Sequence, residues 1–231
     1  MHKLVLVTGS AKIIGASILE IFARNGYDVI INYQTSELLA IDLKKKLNNY
    51  NINVYIEKFD VTNEQDVKNI FNKYNIDILV NNASVSLDNE LENKTKDEFM
   101  KVMEVNLYGT FLMCQEFIKN NNTGVIINMS STDAIDTYNI LSIDYCASKA
   151  GIINMTKNLA NNYPNIKVCA VCPNWIKSES VMEMDKEYLK NEMNRIGQKE
   201  LIEASVVANK VYEIATSSNI NSGEIVRIDY E

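Results

Sequence analysis

The sequence predicts an α/β fold: one domain built on a doubly wound, seven-stranded parallel sheet with helices on both faces. Short apolar, β-branched runs alternate along the whole chain with segments of helical periodicity. The runs are apolar at nearly every position, as strands covered on both faces require. At 231 residues and 46% hydrophobic content, the chain suits a single core spanning residues 1–231 better than two small ones.

The elements follow in order. Strands are expected at Leu4–Thr8, Asp28–Tyr33, Asn53–Phe59, Ile76–Asn81, Val125–Ser130, Lys167–Cys172 and Glu224–Asp229, each a run rich in Val, Ile or aromatic residues. Between them, helical spacing of apolar residues marks Ile14–Asn25, Ser36–Asn49, Glu64–Tyr74, Lys96–Lys119, Tyr145–Asn162 and Glu203–Ser217. The longest stretches without periodicity, Ala83–Thr95, Ser131–Asp144 and Pro173–Asp185, each follow the carboxyl end of an expected strand. Ligands bind at that edge of such sheets.

Composition removes several functions. The formal charge of −7 argues against a nucleic-acid surface. His2 is the only histidine, which excludes a Ser-His-Asp hydrolase or a histidine metal site. Cys114, Cys146, Cys169 and Cys172 lie in apolar segments and are expected to be core thiols, so no metal site is predicted. No apolar run approaches the roughly 18 residues of a membrane span, and Met1-His2-Lys3 leads straight into a strand. A cytoplasmic protein without membrane or nucleic-acid partners is expected.

Two features carry chemistry. After the first strand, Thr8-Gly9-Ser10-Ala11-Lys12-Ile13-Ile14-Gly15 feeds a helix N-terminus, a turn that binds phosphate through free N–H groups and the helix dipole. Tyr145-Cys146-Ala147-Ser148-Lys149 places a phenol and an ammonium on one helix face.

With Asp60-Val61, Asn81-Asn82-Ala83, Asn106, Ser130-Ser131 and Pro173, these motifs occur in the order and approximate spacing of the short-chain dehydrogenase/reductase family, which the chain resembles over essentially its full length. The resemblance implies a Rossmann-type fold and a carbonyl reductase using a nicotinamide cofactor. It makes Tyr145 the proton donor to the carbonyl oxygen, with Lys149 favouring the phenolate and holding the nicotinamide ribose. Ser131 would donate a hydrogen bond to the substrate carbonyl, and Asn106 would hold a relay water. Ser131 stands one residue further from Tyr145 than the family's usual spacing; Thr132 stands at that spacing, and Ser130 is expected to be a strand-end hydroxyl.

For the cofactor, the resemblance assigns Gly9, Ser10, Ile14 and Gly15 to the pyrophosphate turn, Tyr33 to the end of the second strand, and Asp60 and Val61 to the adenine. Asn81 and Ala83 would lie at the adenosine ribose, and Pro173, Ile176 and Ser178 at the nicotinamide and phosphate. NADPH is favoured over NADH, because Asn32-Tyr33-Gln34-Thr35-Ser36 offers no acid to a ribose 2′-hydroxyl and Lys12 can pair with a 2′-phosphate. Ile13 and Asn174 stand where the family usually has Gly. The chain ends Ile228-Asp229-Tyr230-Glu231 where relatives often continue.

The overall pattern is most similar to 3-oxoacyl-[acyl-carrier-protein] reductases, so the expected partner is a small carbonyl substrate carried on an acyl-carrier protein. Lys94, Lys96 and Lys101 are candidate docking cations. Pteridine reductases are similar in Lys12-Ile13-Ile14-Gly15 and Ile196-Gly197-Gln198 and give the alternative substrate; a dinucleotide-binding sensor with little turnover is the non-enzymatic one. Specificity is expected from 173–197, with Trp175, Met182, Met184, Tyr188 and Met193 either forming a lid or simply packing. Relatives commonly pair through the two long helices, implying a homodimer or homotetramer.

Overall fold

The computed structural model describes residues 2–229; Met1 and the Tyr230-Glu231 end of the C-terminal comparison lie outside the described residues. Its strands are β1 (Leu4–Val7), β2 (Asp28–Tyr33), β3 (Val54–Lys58), β4 (Ile78–Asn81), β5 (Gly124–Met129), β6 (Ile166–Pro173) and β7 (Ile225–Ile228). They form one sheet in the order β3-β2-β1-β4-β5-β6-β7. Every pairing is parallel. The helices are α1 (Ile13–Arg24), α2 (Glu37–Leu47), α3 (Glu64–Lys73), α4 (Lys96–Met103), α5 (Thr110–Asn120), α6 (Ile143–Asn162), α7 (Glu179–Met182), α8 (Lys186–Arg195) and α9 (Ala204–Thr216).

The period-2 alternation of the strands divides the core into two layers. Val5, Val7, Val29 and Ile31 pack with Ile18 and Phe22 of α1, Leu43 of α2 and Val207 and Val211 of α9. Leu6, Ile30, Leu79 and Ile126 face the other way, onto Val67 and Phe71 of α3 and Met113 and Phe117 of α5. Winding runs outward from β1 through β2 to β3, then restarts at β4 and proceeds to β7. The crevice between the carboxyl ends of β1 and β4 is the switch point where this architecture places ligands.

Two expectations change. The helix expected over Lys96–Lys119 runs from Lys96 to Asn120, but its centre, Glu104–Gly109, is π-helical. Apolar periodicity continues through such a turn, so the sequence pattern does not reveal it. Its effect is positional: Asn106 is fully buried. Second, the region after Pro173 contains α7 and α8, and α8 has no buried residue. It lies along the rim of the fold rather than packing as a core helix.

Candidate active site

The glycine turn is shaped by contacts that leave no room for side chains. Gly9 has φ +61, and a Cβ on Gly15 would come 2.5 Å from the Ser10 Cα, so both positions require glycine. Gly9 N–H donates to Asn32 Oδ1 at 2.8 Å, and Ser10 N–H to the Asn32 carbonyl at 2.9 Å. Asn32 Nδ2 in turn donates to the Phe59 carbonyl at 3.1 Å, so one buried amide ties the turn to β2 and β3. Thr8 Oγ1 accepts from the N–H groups of Asn82 and Ala83 at 2.9 and 3.0 Å, locking the end of β1 to the end of β4. Helix α1 then starts at the extended N-cap Lys12, with no side-chain cap and no acid in its first turn. Free N–H groups, a positive dipole end and a lysine therefore converge there, which fits a pyrophosphate.

Beyond this turn a cleft of about 680 Å³ is lined by Lys12, Ile14, Asn82, Ser131, Asp133, Tyr145, Lys149, Pro173, Trp175, Ile176 and Ser178, among others. Helix α6 supplies the phenol and ammonium from successive turns, with Ser148, Lys149, Ile152 and Thr156 buried. Lys149 Nζ lies 5.3 Å from the Tyr145 ring centroid and donates to the Met129 carbonyl at 2.8 Å.

The three candidate hydroxyls separate by their partners. Ser130 Oγ donates to the Lys149 carbonyl at 2.9 Å, and Thr132 Oγ1 lies 3.2 Å from Thr137 Oγ1, whose own proton goes to Asp133. Ser131 Oγ accepts from the Asp133 N–H at 3.1 Å and its hydroxyl faces Tyr145. A 3-10 turn at Thr132–Ala134 follows it at once.

Burial dominates the electrostatics of the pair. Burial pushes the Tyr145 phenol above its ordinary value; the Asp133 charge acts in the same direction, and the Ser131 hydroxyl acts against both. Burial lowers the Lys149 ammonium to about 8. Loss of solvent is the largest cause at both groups and favours the neutral form of each.

Other expected residues do not present side chains to the cleft. Ser10 Oγ, fully buried, accepts from Asn32 N–H at 2.9 Å. Tyr33 packs in the core layer of α1 and α2, and Val61 in the layer of α3 and α5. Asp60 Oδ1 accepts from the N–H and hydroxyl of Thr62, both at 2.8 Å, and Oδ2 from Gln34 at 2.5 Å. Asn81 points between the sheet and α5, donating to Asn128 Oδ1 at 2.8 Å and Cys114 Sγ at 3.3 Å. Its neighbour Asn82 is the one that lines the cleft. Asn106 accepts from Val85 N–H at 2.8 Å and donates to the Val85 carbonyl at 2.9 Å and Ser148 Oγ at 3.1 Å. It clamps the loop after β4 against α6.

Of the specificity candidates, Trp175 and Met184 line this cleft. Tyr188 lines a second hollow of about 570 Å³ with Tyr138, Ile140, Leu141, Cys146 and Arg195, adjoining the first at Asn139. Met182 is exposed. Gln198 fastens the segment, accepting from Trp175 N–H at 3.1 Å and donating to its carbonyl at 2.8 Å.

Sequence reasoning missed the buried ion pair beside α6. Lys94 Nζ contacts both Asp144 oxygens at 3.1 Å, with side chains 4% and 0% exposed. Lys94 Nζ also donates to the Leu87 carbonyl, and Asp144 Oδ1 accepts from Tyr145 N–H at 2.9 Å. Lys94 is thus an internal cation and not a docking one. The four cysteines are free, and no cluster of metal-ligating side chains occurs among the described residues. No helix among them is long and apolar enough to cross a membrane.

Comparison with known proteins places the chain in a family. The short chain dehydrogenase family model matches residues 3–189. The 3-oxoacyl-[acyl-carrier-protein] reductase FabG of Rickettsia felis is 32% identical over 191 residues, covering 80% of this chain and 77% of that protein. The Staphylococcus epidermidis protein of the same name is 31% identical over 226 residues, covering 94% and 92%. Among solved structures, ElxO with NADP bound superposes with a TM-score of 0.85 at 29% identity, covering 99% of this chain and 98% of that one.

Proposed function

The chain belongs to the short-chain dehydrogenase family and is an NAD(P)-dependent oxidoreductase, and we propose that it reduces the ketone of a 3-oxoacyl thioester, carried on acyl-carrier protein, with NADPH. The observation that carries this reading is the convergence of Tyr145, Ser131 and Lys149 on one cleft beside the glycine turn. Relatives named for that reaction supply the substrate class. The pteridine-reductase and sensor alternatives have no such support and are set aside.

In the proposed mechanism, bound NADPH supplies the hydride to the carbonyl carbon. Tyr145, held protonated by its surroundings, gives its proton to the carbonyl oxygen as charge develops there. Ser131 donates a hydrogen bond to the same oxygen and fixes its direction. Lys149 holds the cofactor ribose, and its depressed pKa suits it to pass a proton back to the tyrosine. With the Asn106 side chain tied to Val85 and Ser148, a relay water would be held by its main-chain carbonyl, which also accepts from Thr110 Oγ1 at 2.7 Å.

At the cofactor end, Gly9, Ile14 and Gly15 would cradle the pyrophosphate, with Ser10 supporting the turn from within and Tyr33 backing the end of β2. Main-chain groups of Asp60, Val61, Asn81 and Ala83 would flank the adenosine. Pro173, Ile176 and Ser178 would border the nicotinamide. Preference for NADPH rests on Lys12 at the cleft and on the absence of an acid at 32–36. Pairing into a homodimer or homotetramer is supported by exposed Phe99, Met100, Tyr108 and Phe111 along the helical run 96–120, since exposed apolar surface is where protein–protein contacts form.

The test is a panel of carbonyl compounds, including an acetoacetyl thioester, followed by NADPH and NADH absorbance. Oxidation of NADPH by the thioester supports the reading. Binding of NADPH with no oxidation by any carbonyl would overturn it.

A further inference from the structure

The substrate end of the cleft carries charge that the proton relay does not use. Asp133, two residues beyond Ser131, lines the cleft and lies near enough to Tyr145 for its charge to act on the phenol. Its Oδ1 accepts from Thr137 Oγ1 at 2.5 Å, which fixes the carboxylate's direction; Oδ2 takes no hydrogen bond among the described residues. A second carboxylate, Asp88, lines the same cleft from the loop after β4 and accepts from Ser86 Oγ at 2.7 Å.

Two nearby cations are committed elsewhere. Arg195 lies within reach of the Asp133 field, but its Nη2 pairs with Glu192 at 2.7 Å and its Nη1 donates to the Thr137 carbonyl at 2.6 Å. Lys94 is sealed against Asp144. Lys12 and Lys149 line the same cleft from the glycine turn and α6, on the side proposed for the cofactor. On the Asp133 side, a carbonyl compound placed at Tyr145 therefore meets negative charge and free acceptor capacity. Such a site repels a carboxylate near the reacting carbon and favours a neutral group bearing N–H donors.

We propose that Asp133, seconded by Asp88, is a specificity determinant that admits 3-oxo compounds whose acid group is masked as a thioester or amide and turns away the free 3-oxo acids. This rests on the reading above and sharpens it: the cleft selects the activated, uncharged form of the acyl chain. An N–H on the carrier arm of the thioester is the donor suited to Asp133 Oδ2. By the same chemistry, the reaction that supplies the substrate must deliver it still esterified.

The experiment compares acetoacetyl-N-acetylcysteamine with acetoacetate on the wild type, Asp133→Asn and Asp88→Asn. Asparagine keeps the acceptor for Thr137 while removing the charge, and thermal unfolding verifies that each variant is folded. Two readouts are taken: kcat/KM with NADPH, and binding followed by the fluorescence of Trp175, the only tryptophan in the chain and part of the cleft lining. The wild type should prefer the thioester in both. Asp133→Asn should narrow that preference by about tenfold, through a gain for acetoacetate, as expected for removing one like charge at short range in a partly solvated site. Asp88→Asn should narrow it less. An unchanged preference in Asp133→Asn overturns the proposal. If neither compound oxidises NADPH in the wild type, the thioester-reductase reading falls. The binding preference and its loss in Asp133→Asn would still decide the role of the carboxylate.

Discussion

Lys94→Met tests whether the loop after β4 is fastened to the catalytic helix by charge. Lys94 Nζ sits 3.1 Å from both oxygens of Asp144, whose side chain has no exposed surface. Methionine keeps the apolar stem but leaves the carboxylate buried, with the Tyr145 N–H at 2.9 Å as its remaining partner. Breaking a buried pair from one side costs about 3–5 kcal/mol, because the abandoned charge keeps its desolvation penalty. In a chain of this length that lowers Tm by roughly 6–20 °C at about 2–4 °C per kcal/mol. Asp144→Asn in the same background removes the abandoned charge while still accepting from Tyr145, so the double variant should recover about half or more of the loss. Urea unfolding followed by circular dichroism, with m held constant, gives the coupling energy. A loss below about 1 kcal/mol for Lys94→Met, or strict additivity in the double variant, would refute the argument.

Three further outcomes follow from the site. Lys149 has its pKa lowered to about 8 in the folded protein, so the folded chain binds fewer protons than the unfolded one above that value. Stability of the wild type should therefore rise with pH from about 8 towards the unfolded value near 10.4. Lys149→Met should remove that rise and gain about 1–3 kcal/mol at neutral pH while abolishing turnover; a less stable variant, by urea midpoint, would contradict it. Lys12→Ala should weaken NADPH by about tenfold or more but NADH by less than about twofold, since only the former carries the 2′-phosphate; equal effects by titration calorimetry would remove the phosphate pairing. Ser131→Ala should lower kcat by about 10²-fold, as for loss of a donor to a developing oxyanion. Ser130→Ala, which loses a bond to the Lys149 carbonyl, should mainly reduce stability, and a larger kcat loss there would reverse the assignment.

The sheet was legible because its central strands are buried on both faces. Runs such as Val29-Ile30-Ile31 and Leu79-Val80 leave no polar face to mistake for a helix or an edge. The π turn around Asn106 was not, since no proline interrupts the helical pattern there and Gly109, at its end, reads as an ordinary helical glycine. Spacing left three hydroxyls open after β5; only the fold shows Ser130 and Thr132 turned to other partners. Asn32 was considered only as a missing acid, although a polar residue inside a fully buried strand signals a structural hydrogen bond. Lys94 looked like a surface charge because its partner lies 50 residues away. The burial that acts on Tyr145 was hidden for a related reason: a sequence displays charges but not desolvation.

The account's central claim is that Tyr145 is the proton donor to a carbonyl reduced at this cleft. The most direct test is Tyr145→Phe, assayed for NADPH oxidation by an acetoacetyl thioester and, in parallel, for NADPH binding by titration calorimetry. Loss of about 10²–10⁴-fold in kcat with cofactor affinity unchanged within about twofold is the predicted result. Retained turnover, or a loss explained by failure to bind NADPH, would contradict it.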